Sequence, residues 1–405
     1  MGPRPRPASR RFTLRDGGRR AAGASVRPRG GSPQWPPLSG PARSPQAGPH
    51  RSQAAPPHAP RRLVATGGTE VERLRTVFLG TSAFAVPVLS ALHARHEVLA
   101  TVTQPDRPAG RSHRPRRSRI HHLALELGIP VRQPERIRRR SAWEAIADLA
   151  PDVLAVADYG QILPARLLAA PRLGAVNVHA SLLPELRGAA PAIWAVARGY
   201  RRTGVTTMLM DAGLDTGPIL LQRETGIADA ETAGELLARL APLGAELLIE
   251  TLSGLAAGRI APRRQDDDAA TLAPRVRKSD AALDWELEAP ALVNRVRAFS
   301  PAPVAFTAVR EGTAGAGAPL RIHRAEAADG PREPDQPPGS FRVSGSRRAR
   351  RLVVVCGGGT ALLPLEVQAA GRRRLPITEF LQGSAVPPAG RFASAAEAAG
   401  LTENG

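Results

Sequence analysis

The 405-residue chain has one cysteine, Cys356, one lysine, Lys278, two tyrosines and only 3% aromatic residues. A lone cysteine excludes an internal disulfide, and with no secretion signal it points to a reducing compartment, most simply a bacterial cytoplasm. A secretory leader needs an apolar core of about 7 to 15 residues, and residues 1 to 70 contain none. No apolar run reaches the length of a membrane span, so no membrane partner is expected. HExxH is absent, as is any Ser-His-Asp spacing, and neither a metal site nor a covalent enzyme intermediate is expected. The first strand-to-helix turn, GTSAF at 80–84, has one glycine where a dinucleotide phosphate loop has GxGxxG. An α/β fold would therefore not imply NAD binding here.

Positive charge is what the chain has in excess, with a net charge of +20 and a pI near 11.6. That favours an anionic partner, nucleic acid before membrane. About +12 of it lies in residues 1–69, which hold 13 arginines, Asp16 as the sole acid and 13 of the 40 prolines. Such a segment cannot bury enough apolar surface to offset its ordering entropy, and 1–70 is expected to be disordered. Two readings of it stay open. An Arg-rich, acid-poor leader suits an organellar transit peptide, whereas the Ala, Gly, Pro and Arg bias suits GC-rich coding DNA and a wrongly extended start, the real beginning lying near Val71. Neither gives the segment functional weight.

The most informative stretch is NVHASLLP, 177–184, followed by GLDTG at 213–217. Asn177 and His179 are two apart at the end of an apolar run, so on a strand they share one face. Asp215 follows a second run, GVTTMLM. Were the two runs neighbouring strands, all three groups would meet at one sheet edge, where open α/β sheets place their chemistry. An amide and an imidazole can donate to a developing oxyanion. A nearby carboxylate can hold the imidazole charged and relay protons. That set suits direct acyl-type transfer to an amine. Singly, each residue has a bland reading: a structural pair on a strand, and a turn-forming Asp.

The runs RTVFLGTSAFAVPVLSAL (75–92), QPDRPAGR (104–111), LALELGIPV (123–131), DYGQILP (158–164), NVHASLLP, RGAAP (187–191) and GLDTG resemble, in order and spacing, the methionyl-tRNA formyltransferases. So do LDWELEAPALVNRVRAFSPAP (283–303) and the run at 352–383. The resemblance implies Asn177, His179 and Asp215 as the catalytic trio. It implies a folate site lined by Ser181, Leu182, Leu183 and Pro184, with Tyr159, Gly160, Gln161, Ile162 and Leu163 as a further wall. The donor would be 10-formyltetrahydrofolate, the acceptor the amine of charged initiator methionyl-tRNA, and no obligate protein partner is evident. HASLLP with a downstream Asp also occurs in other folate-dependent formyltransferases, so QPDRPAGR and the second domain narrow the resemblance.

Alternating strand-length and helix-spaced segments predict a doubly wound, mostly parallel, Rossmann-like sheet over 71–260. A long helix from Thr232 to about Leu255, interrupted near Pro242, closes it. Residues 261–282 read as a polar linker. Residues 283–390 show short β-rich runs, a small barrel that the resemblance implies is OB-like and binds tRNA, and 391–405 reads as a tail. Arg107, Arg111, Arg114, Arg116, Arg117 and Arg119 fall within thirteen residues, a cationic loop suited to acceptor-stem phosphates. By resemblance, Arg111 probes the stem's end. Lys278, alone among 55 arginines, is a candidate tRNA or interdomain contact. The chain departs from the family where SHRPRRSRI replaces a Gly-Lys-Lys-like continuation, and where Asp158 stands in place of a small residue. Two rivals remain: a formyltransferase acting on a small amine, and a noncatalytic RNA binder on a retired scaffold.

Overall fold

The computed structural model describes residues 2, 73–108, 115–310, 316–329, 336–346, 349–383 and 386–403. The basic extension, Gly2 apart, together with Arg111 and Arg114, lies outside the described residues. Residues 59–405 belong to one compact unit, so contacts between its two halves are internal to it.

The first half runs β1 (Arg75–Gly80), α1 (Ala85–Arg95), β2 (Glu97–Val102), the two-residue strands β3 (Arg107–Pro108) and β4 (Pro115–Arg116), α2 (Arg119–Glu126), β5 (Val131–Arg132), α3 (Arg140–Ala147), β6 (Val153–Ala157), α4 (Ala165–Leu168), β7 (Ala175–His179), α5 (Pro191–Ala197), β8 (Arg202–Leu209), β9 (Ile219–Gly226) and α6 (Ala233–Ala256). Seven of these strands form one sheet in the order β5-β2-β1-β6-β7-β8-β9. The first five are parallel, and β8 and β9 are antiparallel.

Both faces of the parallel part are covered, which is why its strands read as unbroken apolar runs. Phe78, Val153, Ala155, Val176 and Val178 point to one face, against α1 and α6. Val77, Leu79, Leu154, Val156 and Ala175 point to the other, with Ile137, Ile146 and Leu167. Strand alternation then places Asn177 and His179 on the Ala175 side.

Helix α6 starts at a capping box: Thr232 Oγ1 accepts from the Glu235 N–H, and the Glu235 carboxylate accepts from the Thr232 N–H. The expected break at Pro242 does not occur. The helix runs through it, because Pro242 faces solvent while Leu236, Leu240, Leu247, Leu248 and Leu252 on either side are buried in one core. Water can serve the carbonyl that a proline leaves without a donor.

The second half comprises α7 (Ala289–Ala298), β10 (Phe306–Arg310), β11 (Ala316–Asp329), β12 (Ser340–Ser344), β13 (Arg351–Val355), β14 (Thr360–Ala369), β15 (Leu375–Pro376), α8 (Ile377–Gly383), β16 (Ala389–Arg391) and α9 (Ala395–Glu403). The strands pair in the order β10-β11-β14-β13-β12-β16, all antiparallel. A bridge between Val309 and Phe392 brings the two ends together, which makes a nearly closed barrel. Residues 391–403, expected as a tail, instead belong to the barrel. Phe392 stacks 5.3 Å from Trp285 and lies 4.6 Å from Phe341, and Ala398 is fully buried. The halves meet where Arg297 Nη1 donates to the Ala228 and Glu231 carbonyls, both at 3.1 Å. The Gly234 N–H donates to Ser300 O at 3.1 Å.

Candidate active site

Strand β7 delivers Asn177 and His179 to the end of the sheet, where they are 9% and 6% exposed. The Leu186 carbonyl lies 3.0 Å from His179 Nε2 and can only accept, so that nitrogen carries a proton. The other ring nitrogen, Nδ1, is 3.7 Å from Asp215 Oδ2. The same carboxylate oxygen accepts from the Gly188 N–H at 2.9 Å. The tripeptide Leu186-Arg187-Gly188 thus holds the imidazole with a carbonyl and the carboxylate with an amide.

Asp215 arrives by a different route from the expected one. The two apolar runs are neighbours, but β8 is antiparallel to β7, and its end, Leu209, pairs with Val176 rather than His179. The connection at 210–218 returns Asp215 to the imidazole. It adopts a left-handed backbone there, φ 54°, a conformation Asp tolerates better than most side chains.

The 181–184 segment is tied down by its own polar groups. Ser181 is fully buried, and its hydroxyl donates to Glu185 O at 2.6 Å. Thr206 Oγ1 donates to Ser181 O at 2.6 Å and accepts from the Leu183 N–H at 3.1 Å. Gln222 Nε2 donates to Leu183 O at 2.8 Å, while the Leu183 side chain is buried with Met208 and Ile219. The Thr271 N–H donates to Pro184 O at 3.4 Å. Leu182 is half-buried, its Cδ2 close to Gly204.

In the 158–163 loop, the Tyr159 ring packs into the core with Val77, Leu79 and Ile137, and burial pushes its phenol up to about 12. It presents its carbonyl, not its ring, to Thr81 Oγ1 and Gln104 Nε2, each at 3.1 Å. Gly160 is left-handed at φ 84°. Gln161 accepts from the Ile137 N–H at 2.8 Å and donates to Gln104 and Pro134. Leu163 is buried, whereas Ile162 is 61% exposed. On the β8–β9 connection Leu214 is 62% exposed. Asp158 is solvent-exposed at φ 46°, and its carbonyl accepts from the Thr81 N–H at 3.1 Å.

The base of the arginine loop is a short antiparallel ladder pairing Arg107 with Arg116 and Pro108 with Pro115. Arg107, Arg117 and Arg119 are exposed. Asp106 anchors the ladder. It accepts from Gln133 Nε2 at 2.8 Å and lies 3.4 Å from His121 Nδ1. The Gln133 hydrogen bond, then the His121 contact, holds its carboxyl below the usual range. Lys278 is exposed and begins a 3-10 turn, Lys278–Ala281. It adjoins a groove of about 690 Å³ lined by Trp194, Pro274, Arg275, Val276, Arg277 and Asp280.

The structure also brings in residues that spacing does not reveal. Arg187 is 7% exposed and Gln265 5%. Arg187 Nε donates to Gln265 Oε1 at 2.9 Å, and its Nη2 to Asp267 Oδ1 at 2.9 Å. The Arg187 N–H donates to Thr271 O, and its carbonyl accepts from Ala273 N–H. Much of the segment read as a linker is therefore a strap across the site. RGAAP stands out in the sequence, but nothing in the polar run around Gln265 marks that residue.

The family described as Formyl transferase matches residues 74–252, and Formyl transferase, C-terminal domain, matches 275–385. The chain is 47% identical over 311 residues to the methionyl-tRNA formyltransferase of Solibacter usitatus, covering 76% of this chain and 96% of the relative. It is 44% identical to that of Acidobacterium capsulatum, covering 79% and 99%. Among solved structures it is similar to a Helicobacter canadensis N-formyltransferase in complex with folinic acid and dTDP-3-aminofucose, with a TM-score of 0.52, 15% identity and coverage of 73% and 99%. HypX from Aquifex aeolicus, in complex with tetrahydrofolic acid, aligns with a TM-score of 0.50 at 17% identity, over 77% of this chain and 48% of that one. At these identities the structural likeness speaks for the fold alone.

Proposed function

The chain belongs to the formyl transferase family, and on that premise we propose that Asn177, His179 and Asp215 carry its reaction. The reaction moves a formyl group from 10-formyltetrahydrofolate to the amine of methionyl-tRNA. The observation that supports this site best is the His179–Asp215 pair at the end of β7, locked from both sides by Leu186 and Gly188. Locking matters because donors aimed in advance need no reorganisation as charge develops.

Asn177 and the Nδ1 side of His179 supply hydrogen bonds to the formyl oxygen as the amine attacks the formyl carbon. Asp215 takes up the proton that the amine loses. The new C–N bond forms at the methionyl amine while the bond from the formyl carbon to folate N10 breaks, and N10 receives a proton through His179. Ile162 and Leu214, exposed on the two loops flanking the site, offer apolar faces suited to a flat pterin ring. The folate site also includes Ser181, Leu182, Leu183 and Pro184, with the ordering of the 181–184 and 158–163 backbones as their contribution. Arg107, Arg116, Arg117 and Lys278, with Arg111 and Arg114, contact phosphates of the initiator acceptor stem. The protein works in the cytoplasm; among the described residues no helix is long and apolar enough to cross a membrane.

The test is formyl transfer from 10-formyltetrahydrofolate to charged initiator methionyl-tRNA by the full chain and by His179→Ala. We expect transfer by the first and a loss on the order of 1000-fold in the second. Full activity in the variant would move the chemistry elsewhere. Transfer only to small amines would replace the acceptor.

A further inference from the structure

Residues 253–274 lie between the two family matches, yet their buried Gln265 makes more contacts to the reacting loops than its place in the sequence suggests. Its amide nitrogen donates to Asp215 O at 2.8 Å and to Gly217 O at 2.7 Å. Its amide oxygen accepts from Arg187 Nε at 2.9 Å. Both protons of one amide grip the GLDTG turn, and the oxygen grips the tripeptide that clamps the His179–Asp215 pair.

We propose that Gln265 is the positioning residue that holds Asp215 against His179. The inference rests on the reading of that pair as the reacting centre. Asp215 needs such a holder because nothing regular supports it. It sits in a long connection rather than on a strand, its φ of 54° is one that Asp adopts at a cost, and its flanking residues Leu214 and Thr216 are not buried. The Gly188 N–H fixes the carboxylate oxygen, but a carboxylate can rotate about its own side chain while keeping one hydrogen bond. Fixing the backbone carbonyls at 215 and 217 anchors the opposite end of that side chain, so the carboxylate is held between two fixed points. Arg187 then makes the arrangement a closed loop of contacts. Gly188 holds the Asp215 side chain, Gln265 holds the Asp215 backbone, and Arg187 joins Gln265 to Gly188. Shifting any member moves the Nδ1 to Oδ2 separation, and a misplacement of about 1 Å near reacting groups costs about 100-fold in rate.

Gln265→Glu is the discriminating variant. It keeps shape and the acceptor for Arg187, and removes both donors to the turn. In the full-length enzyme we expect kcat to fall by about 100-fold, with KM for methionyl-tRNA and for the folate within about twofold of wild type. Because Gln265 acts through Asp215, adding Gln265→Glu to Asp215→Asn should lower kcat by less than about twofold further, a non-additivity that a merely structural residue would not show. A wild-type kcat in Gln265→Glu, or losses that multiply in the double variant, would overturn the proposal. Gln265→Met, which lacks every polar atom, is the second variant; loss of the fold in both would assign Gln265 to folding alone and overturn it too. A wild-type rate in Asp215→Asn by itself would instead remove the premise about the reacting pair.

Discussion

Thirteen of the fourteen buried polar or charged side chains among the described residues lie at or before Gln265, and only Thr307 belongs to the barrel. Thr307 is moreover used at once, accepting from Trp285 Nε1 at 3.2 Å. The barrel interior is otherwise apolar, built around Trp285, Phe341 and Phe392. The first half, by contrast, buries Asn177, His179, Ser181, Arg187, Thr206 and Gln265 at one end of its sheet. Burying such groups costs free energy unless each finds a partner. Arg187, Thr206 and Gln265 each find one there. Arg107, Arg117, Arg119 and Lys278, by contrast, are exposed.

The contrast is most sharply probed from the apolar side. Trp285→Ala should cost about 3–5 kcal/mol, read as a lower urea midpoint. The rate of formyl transfer from a preformed complex of the folded variant should be unchanged. A rate loss tracking the stability loss would mean that the barrel core, too, sets the reacting geometry.

A somewhat smaller effect should come from a buried polar group in the first half that has no part in the site. His96 accepts from the Leu74 N–H through Nδ1 at 3.4 Å, while its Nε2 is buried without a partner. Burial first, then Arg73 and Arg95, lower it from 6.5 to about 4. The unfolded chain therefore takes the proton first as pH falls. The stability that neutral His96 permits is fully present above about 6.5, declines below it, and is lost by about 4, a change of about 3 kcal/mol. His96→Asn keeps an acceptor for Leu74 and does not titrate. Its unfolding midpoint should be flatter between pH 6.5 and 4, and an unchanged acid limb would assign the effect elsewhere.

The smallest change belongs to the exterior. Lys278→Gln should reduce the salt dependence of tRNA binding by about one unit of logarithmic slope, with the rate at saturating tRNA unaffected. A flat response would remove Lys278 from the RNA-facing surface.

How far each of these regions could be read in the sequence follows from its physics. RTVFLG, DVLAVAD and GAVNVH were legible as strands because both sides of the parallel sheet are covered, which leaves continuous apolar runs. That Asn177 and His179 share one strand face was legible from their spacing of two. The antiparallel direction of β8 is not written in its sequence, since an apolar run carries no sign of direction. Pro242 suggested a break that packing on both sides overrides. Helix α7 lies in a stretch whose short apolar runs suggest strands; its Ala289-Pro290 start is a helix signal overshadowed by the Gly- and Pro-separated strands after it. Gln265 was illegible for a deeper reason. Its three partners come from two distant segments, and no local pattern encodes a contact that only the folded chain creates.

The strap has a consequence for the order in which the protein is made. Asp215 leaves the ribosome fifty residues before the side chain that grips its carbonyl. Arg187 is made 78 residues before that same partner. A nascent chain ending at Ala256 would already own every strand of the first sheet and Asn177, His179 and Asp215. It would still lack Gln265 and its hydrogen bonds to Arg187 and to the Asp215 turn, so synthesis lays down the sheet before the strap that ties its loops together.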